Sequence, residues 1–321
     1  MDTAMKRVLV CGAGGFIGTH LVTKLKDMGC YVIGADVKYP EFSVSDADEF
    51  HLVDLRDTLA VSTLLNNDIE EIYQLAANMG GAGFIFTGDN DADIMHNSCL
   101  INLNILDGMV KQNIKKVFFS SSACIYPEHN QQDSAHPNCE ESTAYPANPD
   151  SAYGWEKIFA ERLYLSFAKN YHLNIKIARF HNVFGPLCTW NNGKEKAPAA
   201  LCRKILETDS HIEIWGDGTQ TRSFLYIDDC IEGILRIMNS DINFPINLGS
   251  ERMININELA RLIMKLSGKF LPIQNIQGPL GVMGRNSDNR LIEQSLHWSP
   301  PDNLEYGLLK TYTWIQQQMV N

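Results

Sequence analysis

The chain has 321 residues, 45% of them hydrophobic, and a formal net charge of −11 from 27 basic and 38 acidic side chains. That balance argues against a nucleic-acid partner or an anionic membrane surface, because binding a phosphate array needs a basic face. No apolar run reaches the roughly 18 residues that cross a bilayer, and the stretch Val8–Cys11 is too short for a signal-peptide core, so the expected location is cytoplasmic.

Apolar runs of strand length occur at Arg7–Cys11, Tyr31–Asp36, Phe50–Val53, Glu71–Leu75, Lys116–Ser120 and Ile175–Arg179, and the segments between most of them repeat at helical period. Strands alternating with helices predict an α/β fold, a doubly wound, mostly parallel sheet. After Arg179 the character changes. Gly, Pro, Asn and Trp crowd Phe184–Gly193, regular alternation lapses until Ile212–Trp215, and helical patterning resumes at Asp228–Met238, Ile256–Leu266 and Leu304–Met319. The expected organisation is a dinucleotide-binding Rossmann domain over residues 1–180 and a smaller substrate lobe over 181–321, the chain returning to the first domain within about 222–249. The eight cysteines (Cys11, Cys30, Cys99, Cys124, Cys139, Cys188, Cys202, Cys230) are scattered, with no C-x-x-C pair and no Cys/His cluster at metal spacing. They read as reduced and mostly as packing residues, and no metal site is expected.

The first strand runs straight into Gly12-Ala13-Gly14-Gly15-Phe16-Ile17-Gly18. In such a turn Gly12 permits the bend, Gly15 lets backbone approach a pyrophosphate, Gly18 lets the helix pack on the sheet, and the helix N-terminus favours phosphate charge. A glycine turn alone is weak. Here the second strand ends in Asp36, where a carboxylate would take the ribose hydroxyls and repel a 2′-phosphate, which points to NAD rather than NADP despite Lys38 nearby. Asp54-Leu55 after the third strand would sit by the adenine, and Ala76 after the fourth would pass beneath the cofactor.

Tyr153-Gly154-Trp155-Glu156-Lys157 places a phenol and an ammonium at i and i+4, on one helix face, where the cation is expected to favour phenolate. The spacing proves little, since Tyr306-Gly307-Leu308-Leu309-Lys310 repeats it. Only Tyr153 follows a strand ending in Ser120-Ser121-Ser122, whose hydroxyl can bond a substrate oxygen beside the phenol. A hydride acceptor with Ser122, Tyr153 and Lys157 describes reversible oxidation of a secondary alcohol.

These segments resemble the extended short-chain dehydrogenase/reductase family of sugar-nucleotide epimerases and dehydratases. Asn78-Met79-Gly80-Gly81, Ser121 to Pro127, Arg179-Phe180-His181-Asn182, Gly193 to Pro198, Trp215 to Phe224 and Gly284 to Asn289 narrow the likeness to the GDP-mannose 3,5-epimerase family. The chain departs from that family's pattern at Asn78, where Asp is usual, and in a slightly longer Asp89–Asp93. The resemblance implies transient oxidation at C4 and inversion at C5 and C3, with Cys124 as base and Lys196 as acid, then re-reduction at C4. It also implies a GDP-sugar site lined by Gly80, Ser122, Asn182, Glu195, Lys196, Ala197, Lys204, Gln220, Arg222 and Arg285. The two arginines suit a diphosphate because a guanidinium pairs with two oxygens at once. A homodimer through helices near Asn97–Lys111 and Tyr153–Asn170 is implied as well. Competing readings are a 4-epimerase or 4,6-dehydratase, and a non-catalytic NAD-binding sensor. A dehydratase would want a carboxylic acid at position 124, a simple 4-epimerase has no use for a paired Cys124 and Lys196, and a sensor has none for Ser122, Tyr153 and Lys157.

Overall fold

Seven parallel strands make the central sheet of the computed structural model, which describes residues 5–320. They are β1 (Arg7–Cys11), β2 (Tyr31–Asp36), β3 (Glu49–Leu52), β4 (Glu71–Gln74), β5 (Lys116–Ser122) and β6 (Asn174–Phe180). The seventh, β11 (Ile246–Leu248), follows four short strands: β7 (Val183–Phe184), β8 (Ile212–Trp215), β9 (Thr221–Ser223) and β10 (Leu225–Tyr226). The order across the sheet is β11-β6-β5-β4-β1-β2-β3, the doubly wound arrangement the alternating pattern predicts.

Parallel strands need crossover helices, and these cover both faces. On one face α1 (Phe16–Asp27) buries Leu21, Val22 and Leu25. On the other, α2 (Thr58–Leu64), α4 (Asp91–Gln112) and α5 (Ala152–Tyr171) follow, and Val61, Ile105, Met109, Ala160 and Tyr164 fill the space, while a short α3 (Ala82–Ile85) packs Ile85 against Ile94 and Tyr153 at the cleft. The core of the first face does not stop at the sheet. It continues through α6 (Ala197–Glu207) and α7 (Ile227–Met238) into the C-terminal elements, joining Leu25 and Phe118 to Leu201, Ile205, Ile234, Ile263 and Leu308.

Those later elements are β12 (Met253–Asn255), α8 (Ile256–Ser267), β13 (Ile273–Ile276), β14 (Gly284–Arg285), α9 (Arg290–Leu296) and α10 (Leu304–Val320). β9 lies between β12 and β14, β13 pairs with β8, and α10 packs on α6 and α8. Two local readings of the sequence change. β5 runs past the apolar run that stops at Ser120 to end at Ser122, because its ladder with β6 continues to Ser122 opposite Phe180. α6 lies in the stretch read as irregular, with Pro198 in its first turn and Ala199, Leu201, Cys202 and Ile205 buried.

Candidate functional site

A cleft of about 1060 Å³ opens at the C-terminal ends of the sheet strands, and every candidate cofactor, catalytic and sugar-nucleotide residue from the sequence lines it. Tyr306 and Lys310 do not. Crevices outside the carboxyl ends of parallel strands are where α/β sheets bind ligands.

On the cofactor side, β1 ends at Cys11 and the chain turns at Gly12, whose φ of 85° disfavours a side chain. A methyl there would also stand 2.8 Å from the Ala76 amide nitrogen. Gly15 caps α1 without a side chain, so the helix N-terminus faces the cleft bare, with Phe16, Ile17 and Gly18 beside it. At the end of β2 the Asp36 carboxylate accepts from the Gly14 N–H at 2.9 Å. Burial pushes its pKa up, against the Gly14 N–H. Asp54 is gripped by Arg56 at 2.6 Å, which holds its carboxyl below the usual range. Arg56 lines the cleft and was not anticipated from the sequence. Glycines with no side chain in the way, a helix N-terminus and a carboxylate facing one space fit a dinucleotide.

Beyond β5 the Ser122 hydroxyl accepts from the Cys124 N–H at 3.2 Å and so caps the tight turn Ala123–Ile125. Ser151 caps α5 in the same way, accepting from the Gly154 N–H at 3.3 Å. A methyl on Gly154 would collide with the Cys124 carbonyl, so a glycine there lets α5 press Tyr153 against the turn that carries the thiol. Lys157 donates to the Ser120 carbonyl at 3.1 Å, and its Nζ lies 5.7 Å from the centre of the Tyr153 ring. The expectation that the cation lowers the phenol's pKa is not what the structure gives. Burial pushes Tyr153 well above the ordinary range, with Cys124 and Glu156 adding to the rise and Ser122 opposing it. A phenol buried this deeply loses more from desolvation of its anion than the Ser122 hydrogen bond returns.

On the facing wall, Arg285 donates from Nη1 to the Cys124 sulfur at 3.0 Å. Its other nitrogens are held by Gln131 and, at 3.2 Å, by Asp150. Lys196 precedes α6 as its N-cap residue; burial pushes its ammonium down, and Cys124 leads the groups opposing that fall. Cys124 and Lys196 both line the cleft.

The remaining candidates are fixed by their neighbours. Arg222 donates to the carbonyls of Thr221, Leu280 and Val282, and burial followed by Arg285 pushes it down to about 10. Asn182 donates to the Ser223 carbonyl, Lys204 to that of Glu213, and Glu195 pairs with Arg203 at 3.0 Å. The Gln220 side-chain oxygen is buried without a partner among the described residues. Gly80 and Ala197 contribute wall surface. The sequence did not single out Gln131 and Asp150 around Arg285, and no local signal marks them, because they meet it from far along the chain. Among the described residues no group of His, Cys, Asp or Glu side chains is placed to hold a metal ion.

The NAD dependent epimerase/dehydratase family matches residues 8–249. GDP-mannose 3,5-epimerase of Arabidopsis thaliana is 45% identical over 98% of this chain and 83% of its own length. Among solved structures, UDP-glucose 4-epimerase from Thermotoga maritima, with UDP-glucose, superposes at a TM-score of 0.86 with 25% identity, covering 98% of this chain and 99% of that one. UDP-glucuronic acid 4-epimerase from Bacillus cereus, in complex with UDP-glucuronic acid and NAD, gives 0.83 with 28% identity over 97% and 99%.

Proposed function

The chain belongs to the NAD-dependent epimerase/dehydratase family, and from that premise we propose that it epimerises GDP-mannose at C5 and C3, yielding GDP-L-galactose and, in part, GDP-L-gulose. The observation that carries the reading is one cleft holding two chemistries: Ser122, Tyr153 and Lys157 for an alcohol, and Cys124 with Lys196 for carbon acids beside it. In this reading residues 1–180 carry the cofactor and 181–321 most of the GDP-sugar contacts.

The glycine turn, Asp36 and Asp54 would hold NAD, which when bound would supply a reversible hydride acceptor for C4. Tyr153 removes the C4 hydroxyl proton while Ser122 bonds the same oxygen and Lys157 supplies positive charge behind the ring. The resulting ketone makes the hydrogens on C3 and C5 removable. Cys124 takes one from its face of the ring, and Lys196 delivers a proton from the other, which inverts the carbon. Arg285 fixes the direction of the Cys124 sulfur, which argues for the sugar end as its place, while Arg222 faces the rest of the nucleotide. Tyr153 finally returns its proton to the C4 oxygen.

Leu103 on α4 and Trp155 and Phe159 on α5 are large apolar side chains left exposed on two helices packed together, which supports a homodimer through that face. Free thiols at all eight cysteines support a reducing, cytoplasmic setting. Among the described residues no helix is long and apolar enough to cross a membrane. Incubation with GDP-mannose in deuterated water tests the chemistry directly: NMR of the product is expected to show deuterium at C5 and C3 and protium at C4. Product with deuterium at neither C3 nor C5 would sink the proposal.

A further inference from the structure

Glu156 lies in sequence between Tyr153 and Lys157, and an ordinary helix residue there would be expected to reach for water. Instead its carboxyl is completely enclosed. Oε1 accepts from the Asn102 side chain at 3.1 Å, and Asn102 is itself locked by Gln74 at 3.1 Å and by the Tyr164 hydroxyl at 3.2 Å. Oε2 has no hydrogen-bond partner among the described residues and stands 3.8 Å from the Lys157 Nζ. A buried carboxylate oxygen left open beside a buried ammonium is costly unless its charge is used.

We propose that Glu156 is a positioning residue that keeps Lys157 protonated and aimed at the phenol, and so sets the alkaline limit of the reaction. The proposal rests on the reading of Tyr153 and Lys157 as the pair that works on the C4 hydroxyl. The groups facing Lys157 are Glu156 and Glu161 on its own helix, Cys99 on α4, Cys124 on the turn after β5, and the Tyr153 ring. Those facing Glu156 are Lys157, Asn102, Tyr153, Cys99 and Tyr164. Burial drives the lysine toward its neutral amine, and Glu156 is the foremost charge opposing that fall. Burial likewise drives Glu156 toward its acid, and Lys157 opposes it. Each charge therefore opposes the neutralisation of the other. Without the carboxylate, Lys157 sheds its proton at a lower pH, and the neutral amine no longer favours phenolate.

Glu156→Gln keeps an oxygen for Asn102 and removes the charge. The alkaline limb of its pH–kcat profile is expected to move down by about one to three pH units, the range for losing an opposite charge at this separation. KM for GDP-mannose should change little, and Glu156→Asp should restore part of the limb. A loss of kcat equal at every pH would overturn the proposal. A measurement independent of substrate accompanies it: the Lys157 Nζ resonance of 15N-lysine-labelled holoenzyme, assigned by its absence in Lys157→Arg, should titrate at lower pH in Glu156→Gln than in the parent. If the parent resonance is already that of a neutral amine at pH 7, the proposal fails whether or not the variant folds. A parent that does not turn over GDP-mannose would refute the proposed substrate while leaving this titration readable.

Discussion

Two places in the molecule carry a tyrosine and a lysine four residues apart on a helix, and locally they are nearly alike. Lys157 lies 5.7 Å from the centre of the Tyr153 ring, and Lys310 lies 5.3 Å from that of Tyr306. Their surroundings differ completely. Tyr153 is 7% exposed, against the Cys124 turn and in the cleft, whereas Tyr306 is 52% exposed on α10, its ring set edge-on to Tyr226. Helix geometry alone makes the pair. Chemistry comes from what the tertiary fold brings to it: a hydroxyl from β5, a thiol from the turn beyond, a buried carboxyl and a space for ligands.

The widest gap between the two should appear when each phenol loses its oxygen. Tyr153→Phe is expected to lower turnover by about 10²–10⁴-fold, the usual worth of a general acid–base group, with GDP-sugar binding largely kept, while Tyr306→Phe leaves turnover essentially unchanged. Equal losses would show that context is not what separates them. Next come the groups that only the cleft supplies. Cys124→Ala should lose on the order of 10²-fold or more and stop deuterium entering C3 and C5 from solvent. Lys196→Ala should lose about as much, yet still exchange some deuterium without inverting the carbon, because abstraction and return on one face remain possible. Identical isotope patterns in the two variants would contradict the division of faces. Smallest is the exposed pair itself: Lys310→Ala should move the melting temperature by no more than about 2 °C, as a solvated cation–π contact contributes little.

The sheet was legible because its strands are short apolar runs, and the glycine turn, Asp36 and the Ser122/Tyr153/Lys157 constellation lie close to strand ends that the pattern marks. α6 was missed because the glycines and tryptophan before it masked a start that Pro198 and the apolar spacing of Leu201, Cys202 and Ile205 do signal. Other features have no local signature. Arg285 meets Cys124 only because β14 pairs with β9 in the facing wall. Glu156 looks like any helix-surface acid until α4 supplies Asn102 to enclose it. The direction of the Tyr153 shift was misjudged from sequence because spacing reports the neighbouring cation and says nothing of how deeply the phenol is buried.

The position of β11 also orders events in time. β6 is complete at Phe180, but its outer neighbour in the sheet begins only at Ile246. Chains emerge from the ribosome N-terminus first, so the six strands that shape the dinucleotide turn are all available before any of the wall carrying Lys196, Arg222 and Arg285. Joining β11 to β6 closes a long excursion, and since loop entropy grows only slowly with length, the delay weighs on folding rate far more than on final stability. Until that strand docks, β6 presents a bare edge, and the nascent protein is most open to pairing with the wrong partner during the same interval in which the C-terminal half, proposed to hold the sugar, is being made.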